Sequence, residues 1–269
     1  LICAFVGMLL AEESVSSFGY LFVSLTGIAC CAASAAAVNQ VIDRNTDASM
    51  TRTDQRPLPQ GELSPTHASL FALIIGILGA LILYLYVNTL TMILTLASLV
   101  GYAFIYTVYL KRATPQNIVI GGLAGAAPPL LGWSSISNSI DPHALLLVLI
   151  IFVWTPPHFW ALAIYRKDEY AKESIPMLPV THGVTFTKLQ IVLYTIILFI
   201  VSMLPYVVLM SGEIYLFSAL ILSTIFLYYS INLYFSNDEE DAMKTFQFSI
   251  YYIFLIFLAL LIDHFVISS

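Results

Sequence analysis

Charge is scarce in this sequence. Only 10% of its 269 residues are Asp, Glu, Lys or Arg, 59% are hydrophobic, and the mean hydropathy is +0.90. A soluble domain is roughly half apolar, so a water-soluble globule is excluded and a polytopic all-α membrane bundle is expected. Bases are scarcer than acids: ten Lys and Arg stand against sixteen Asp and Glu, a net charge of −6. That balance excludes nucleic acid as a partner, which needs a basic face. The three cysteines, Cys3, Cys30 and Cys31, all lie inside apolar runs. Without spaced pairs they support neither a disulfide framework nor a zinc site, and they read as buried small residues. A basic leader with a small-residue cleavage site is also lacking from the opening LICAFVGMLLA. Residues 1–11 are expected to be the second half of a first membrane helix that begins before this sequence.

What the chain has in abundance is long apolar runs. Runs of spanning length, roughly 17 to 25 residues, fall near 19–38, 68–87, 90–109, 117–134, 144–165, 187–210, 214–235 and 247–266. With the opening half-helix this predicts nine helices in one domain, residues 1–269. If each run crosses once, the connections 39–67, 110–116, 166–186 and 236–246 share a face. Arg44, Arg52, Arg56, Lys111, Arg112, Arg166, Lys167, Lys172 and Lys244 lie in those connections, and Lys188 sits at the edge of one. The opposite loops hold no Lys or Arg. A wrong helix count would scatter these charges. The positive-inside rule makes the basic face cytoplasmic, so the expected location is a bacterial plasma (inner) membrane with its active-site loops in the cytoplasm.

The chemistry concentrates in Asn39 to Pro59, NQVIDRNTDASMTRTDQRPLP. Asn39, Asp43 and Asp47 are spaced i, i+4, i+8, which puts all three on one stripe if the helix continues past the apolar run. Two carboxylates one turn apart need a cation between them. Oxygen-only ligands suit Mg²⁺, which keeps several waters and bridges to substrate phosphate. Arg52 and Arg56 follow, also i, i+4, and a guanidinium fork matches phosphate oxygens. In a soluble protein such a stripe would be an ordinary solvated helix face. Beside a membrane helix, idle polar groups at fixed spacing are costly, so the pattern points to a diphosphate site.

Other polar groups admit two readings each. Asp168 could hold a second Mg²⁺ and Arg166 and Lys167 phosphate, or all three are interfacial charges that snorkel to water. Together with 39–67, the loop 166–186 would make a two-lobed site. Lys111 and Arg112 either add to a diphosphate pocket or only signal topology. Asn237–Asp241 reads as a solvated acidic loop. His158 lies in WTPPHFWAL within the sixth run, after a proline pair that kinks a membrane helix. It is either a functional group such as a haem-iron ligand or a neutral ring hydrogen-bonded to a neighbouring helix. GGLAGAAPPLLGW, residues 121–133, combines small residues and prolines that either allow close helix packing or clear space for a bulky planar ligand.

NxxxDxxxD followed by RTxxRPLP resembles the UbiA superfamily of intramembrane prenyltransferases, a nine-helix fold. GAAPPLLGW, TPPHFWALAIYRKDEY and IPMLPVTHG, in that order, resemble its haem-farnesylating branch, the protohaem IX farnesyltransferases or haem O synthases. The similarity runs from about Gly7 to the last span. It implies farnesyl diphosphate as donor, haem B as acceptor and Mg²⁺ as cofactor. Asn39, Asp43, Asp47 and Asp168 would hold metal. Arg52, Arg56, Lys111, Arg112, Arg166 and Lys167 would hold diphosphate, and His158 would orient haem. Asp43, Asp47, Arg52 and Arg56 would carry the chemistry. Beyond substrates and membrane lipid, it suggests partners among haem A biosynthesis or oxidase assembly proteins. One departure stands out: where the superfamily has a second DxxxD, Asp168 is followed at i+4 by Lys172. Glu169 or Glu173 would have to substitute, or one metal suffices. Rival readings are prenyl transfer to an aromatic quinone precursor, a membrane transporter, and an assembly subunit without chemistry.

Overall fold

A computed structural model describes residues 1–11, 17–51 and 53–267. Among the described residues there is no strand, and nine helices carry the fold. They are α1 Ile2–Leu10, α2 Phe18–Ser49, α3 Pro65–Tyr86, α4 Thr89–Ala113, α5 Asn117–Ser137, α6 Pro142–Tyr165, α7 Val184–Val207, α8 Glu213–Phe235 and α9 Glu240–Ile267. The helices α2 to α9 are long and apolar enough to cross a membrane. Two short helices, Lys167–Lys172 and Leu178–Thr181, lie in the connection between α6 and α7. The expected spans all appear, and several helices outrun them. The 32 residues of α2 reach roughly 48 Å at 1.5 Å per residue, against a hydrocarbon core of about 30 Å. Its last three turns therefore stand at the membrane rim.

Short polar side chains set the helix starts. Ser17 Oγ accepts from Tyr20 N at 3.3 Å at the start of α2, and Ser64 Oγ accepts from His67 N at 3.2 Å ahead of Pro65. Asn88 Oδ1 caps α4 through Thr91 N at 2.8 Å, and Asp141 Oδ1 caps α6 through His143 N at 2.8 Å. Each satisfies a backbone N–H that the first turn leaves without an intrahelical partner. The fully buried Asp263 does the same from another helix: its carboxylate on α9 accepts from the backbone N–H groups of Gly212 and Tyr215 at the start of α8.

Side-chain distribution is that of a protein solvated by lipid. Phe18, Leu70, Phe71, Leu73 and Tyr251 face outward, whereas Ser24, Thr91, Ser134, Ser202, Ser230 and Ser249 are fully buried. The buried hydroxyls join helices: Thr91 to Ser134 at 3.0 Å, Thr195 to Ser230 at 3.0 Å, and Ser202 to Tyr252 at 2.7 Å. Without water to drive apolar burial, such bonds and small-residue contacts hold membrane helices together. α1 crosses α5 backbone to backbone. A Cβ on Gly132 would stand 1.8 Å from Ala4 O, and one on Gly7 would stand 2.3 Å from Pro129 O. Gly27 and Gly79 bring α2 and α3 together in the same way.

α6 is the central helix, packed on α5, α7 and α9, with Ala144, Leu147, Ile150 and Ala161 fully buried. It runs unbroken through Pro156 and Pro157. Between Gly101 and Leu110, α4 widens into a π-helix, and Thr107 Oγ1 donates five residues back to Tyr102 O at 2.9 Å. Such widening is uncommon and concentrates at functional sites. Here it turns Tyr102 and Tyr106 toward α5, where Gly121 makes room: a Cβ at that position would lie 2.2 Å from the Tyr106 ring.

Candidate active site

The rim extension of α2 sets out the acidic stripe. Asp43 and Asp47 are 2% and 5% exposed, so two carboxylates one turn apart lie out of water. Each is engaged by a cation from another segment. Lys111 Nζ, at the end of α4, lies 2.6 Å from Asp43 Oδ2. Arg56 Nη1, in the loop after α2, lies 2.7 Å from Asp47 Oδ2. Asn39 Nδ2 donates to Asp43 Oδ2 at 2.9 Å and to Thr107 Oγ1, on the π-helical turn, at 3.1 Å. Two local bonds fix the cation-bearing segments: Thr53 Oγ1 donates to Asp47 O at 3.0 Å, and Asn117 Nδ2 to Lys111 O at 3.2 Å. Asp43 Oδ1 is buried and has no hydrogen-bond partner among the described residues. A buried carboxylate oxygen left so is costly, and a divalent cation would satisfy it. Two carboxylates and an amide make an oxygen-only donor set, so these residues fit Mg²⁺.

These side chains rim a cavity of about 490 Å³. Asn39, Asp43, Asp47, Arg56 and Lys111 line its polar end. Tyr102, Tyr106, Trp154, Phe159 and Thr155 line the body together with Gly121, Gly122 and Gly125 of α5; Tyr106 covers Gly121 and Thr155 abuts Gly122, while Gly125 opens onto free space. A second cavity of about 270 Å³ adjoins it, sharing Tyr102 and Gly125. Its walls are apolar: Ile28, Ala35, Leu99, Ala124 and Leu131. Charge at one end, aromatic faces in the middle and an apolar extension fit a molecule with an anionic head, a planar partner and a hydrocarbon tail.

The other expected site residues are placed differently. Arg52 lies outside the described residues. Arg112 is exposed and donates to Thr46 Oγ1 at 3.0 Å, away from the cavity lining. Arg166 pairs with Glu169 at 2.7 Å, Asp168 is exposed, and neither they nor Lys167 line the cavity. The loop 166–186 does reach it, through Tyr170, Ile175 and Met177, all buried. The second lobe is thus apolar at the cavity, because its charges follow the outer face of the short helix Lys167–Lys172. His158 is 8% exposed and turns toward α9. Its ring lies between Trp154, with centroids 4.2 Å apart, and Phe246, at 4.6 Å. Its Nδ1 bonds Ser249 Oγ at 2.6 Å, and Ser249 O accepts from Trp154 Nε1 at 2.8 Å. It is Trp154, not His158, that lines the cavity.

Among the described residues no three His, Cys, Asp or Glu side chains gather as a self-contained metal site. Sequence reasoning missed the aromatic lining. Tyr102 and Tyr106 are spaced i, i+4, which is a signal, but the π-helical turn that aims them is not written in any residue pattern.

Comparison with known proteins identifies the family and the fold. The family model described as the UbiA prenyltransferase family matches residues 1–261. A protein named Protoheme IX farnesyltransferase 2 from Pseudoalteromonas atlantica is 58% identical over 98% of this chain and 87% of its own length. Protoheme IX farnesyltransferases from Vibrio vulnificus and Legionella pneumophila are 58% and 57% identical over 98% of this chain, and over 88% and 90% of their own lengths. Among solved structures, a digeranylgeranylglyceryl phosphate synthase shares the fold with a TM-score of 0.81 at 20% identity, covering 98% of this chain and 92% of that one. A UbiA homologue from Archaeoglobus fulgidus, solved with GPP and Mg²⁺, aligns with a TM-score of 0.60 at 16% identity over 96% of each chain. The family model over residues 1–261 and the relatives at 57–58% identity show that the chain belongs to the UbiA prenyltransferase family.

Proposed function

We infer that this protein transfers the farnesyl group of farnesyl diphosphate to a vinyl group of protohaem IX, with addition of water, to give haem O. One observation carries the mechanism: buried carboxylates and their cations rim a cavity whose body is aromatic and apolar. The full-length likeness to proteins named for this reaction supports the choice of acceptor.

The diphosphate head belongs at the polar end, where Arg56 and Lys111 meet its oxygens. Arg52 is proposed as a second guanidinium fork. Mg²⁺ held by Asp43, Asp47 and the amide oxygen of Asn39 would supply electrostatic stabilisation of the leaving diphosphate. The hydrocarbon tail extends past Tyr102 and Gly125 into the adjoining apolar cavity. The porphyrin lies against Trp154 and Phe159, beside Gly125 of α5, where no side chain intrudes. The allylic C1–O bond breaks, and diphosphate departs with the bonding pair. The terminal vinyl carbon then bonds to C1, placing the positive charge on the carbon attached to the ring. Water adds there and loses a proton, leaving a hydroxyethylfarnesyl group. Apolar walls keep water from C1 before the new bond forms, and the tyrosine faces of Tyr102 and Tyr106 stabilise the allylic cation. His158 acts from behind Trp154, holding the indole through stacking and through Ser249.

The basic rim faces the cytoplasm, so farnesyl diphosphate enters from that side. A cysteine placed at Lys172 should react with a membrane-impermeant thiol reagent only after the cells are lysed. Labelling in intact spheroplasts reverses the orientation. The activity itself is tested by incubating membranes containing the protein with haem B, farnesyl diphosphate and Mg²⁺ and recording the haem mass. Prenylation of a phenolic acid, with haem unchanged, would replace haem by a quinone precursor as acceptor.

A further inference from the structure

One oxygen of each carboxylate is already engaged. Asp43 Oδ2 is held by Lys111 at 2.6 Å and Asp47 Oδ2 by Arg56 at 2.7 Å, with both carboxylates almost wholly out of water. The two acids and two bases sum to zero charge. A divalent cation arriving alone would meet a free oxygen at Asp43 Oδ1, but it would sit beside both bases, would have to displace them to gain both carboxylates in full, and would leave the quartet at +2 in a poorly hydrated cavity. A diphosphate trianion arriving alone would leave it at −3 beside two buried carboxylates. Either excess is strongly opposed where water cannot screen it. One metal with one diphosphate leaves a single excess charge, and it frees Lys111 and Arg56 to turn from carboxylate to phosphate. Both bases can make that exchange. Lys111 is a point charge on a flexible stem, and Arg56 remains about one third exposed.

Resting on the metal–diphosphate reading of this site, we propose that Lys111 and Arg56 are exchangeable counter-ions that make metal and diphosphate bind only as a pair. The bases hold the carboxylates until the anion arrives, and the anion is not retained until the metal replaces the bases. Coupling of this kind is reciprocal, so each ligand raises the other's affinity by the same factor. It would keep the site from retaining metal when no prenyl diphosphate is present. It would also make pyrophosphate leave together with its cation after the transfer.

The test measures Mn²⁺ bound to the purified full chain by equilibrium dialysis with and without inorganic pyrophosphate, taking free Mn²⁺ from its electron paramagnetic resonance signal in the protein-free chamber, so that Mn²⁺ complexed by pyrophosphate in solution is counted separately. In the unaltered protein, pyrophosphate should tighten Mn²⁺ binding by about 100-fold, within the usual range of such coupling. Lys111→Met removes the competitor at Asp43. It should tighten binding of Mn²⁺ alone by about tenfold and reduce the pyrophosphate effect by at least that factor. Lys111→Arg keeps the charge and should keep the coupling. Lys244→Met serves as control, because it breaks the exposed Lys244–Asp241 pair and should change neither quantity. If Lys111→Met does not yield folded protein, Arg56→Met carries the same test at Asp47. Weaker or unchanged binding of Mn²⁺ alone in Lys111→Met overturns the counter-ion exchange while leaving the site reading intact. No Mn²⁺ bound by the unaltered protein even with pyrophosphate overturns the site reading itself.

Discussion

Two segments of similar composition meet opposite fates in this protein. Asn39–Arg56 and Arg166–Glu173 each follow a membrane helix, each reach the basic face, and each mix acids with bases. In the first, Asp43 and Asp47 are buried; Lys111 reaches Asp43 from the end of α4, and Arg56 folds back on Asp47 from the loop after α2. In the second, Arg166 and Glu169 pair with each other, both partly exposed, and Asp168 faces outward. The difference is one of register and length. α2 continues past the membrane for three turns with its polar residues at a four-residue period, so one stripe stays turned toward the cavity. α6 ends at Tyr165, and the six-residue helix after it has room for one buried position, taken by Tyr170. A charge at the interface becomes part of this site when a long helix carries it inward; after α6 the charges instead pair with each other, as Arg166 and Glu169 do, or face outward, as Asp168 does.

The comparison can be broken at its strongest point first. Asp43→Ala and Asp47→Ala should each lower turnover by about 10²–10³-fold, the scale for losing one electrostatic stabiliser of a leaving group. Haem O formation followed by mass spectrometry measures this, and activity within twofold of the parent would remove the stripe from the mechanism. Next in size, Arg56→Lys keeps the charge and loses the fork. It should raise KM for farnesyl diphosphate by about tenfold, equivalent to about 1.4 kcal/mol, with a smaller change in kcat; an unchanged KM argues against a bidentate contact. His158→Ala sharpens the same contrast inside α6. Because the ring packs against Trp154 and Ser249 rather than lining the cavity, the Soret band of bound haem should stay in place while tryptophan fluorescence changes. A shifted Soret band would restore His158 as an iron ligand. Smallest of all, Asp168→Asn should leave activity within about twofold, as expected of a solvated surface substitution. A tenfold loss would return the second loop to the metal site.

Much of the site was legible before any fold was known. Asn39, Asp43 and Asp47 were expected at a metal and Arg56 and Lys111 at the diphosphate, and all five line the cavity. The helical period alone brings the first three together. The bases follow from charge complementarity at one membrane face. Arg112 was not separable from Lys111 by sequence, since adjacent helical residues point about a quarter-turn or more apart, and only the packing of α4 on α2 decides which one faces inward. The proline pair removes two backbone donors from α6, yet the helix continues across it. A further irregularity falls in α4, where nothing in GYAFIYTVYL announces a π-helical turn. Trp154 stood in view as one aromatic among many, and its role depends on which way α6 is rotated.

By itself, the sequence determined that the chain belongs in lipid, where its long apolar helices fall, which connections carry the basic residues and where the acidic stripe lies. Those properties follow from local period and from transfer energies summed over some twenty residues at a time. Tertiary structure alone decided which bases meet which acids, that α4 widens to present its tyrosines, and that Trp154 rather than His158 borders the cavity. Such choices turn on helix rotation and close approach between segments distant in the chain, and no local pattern encodes them.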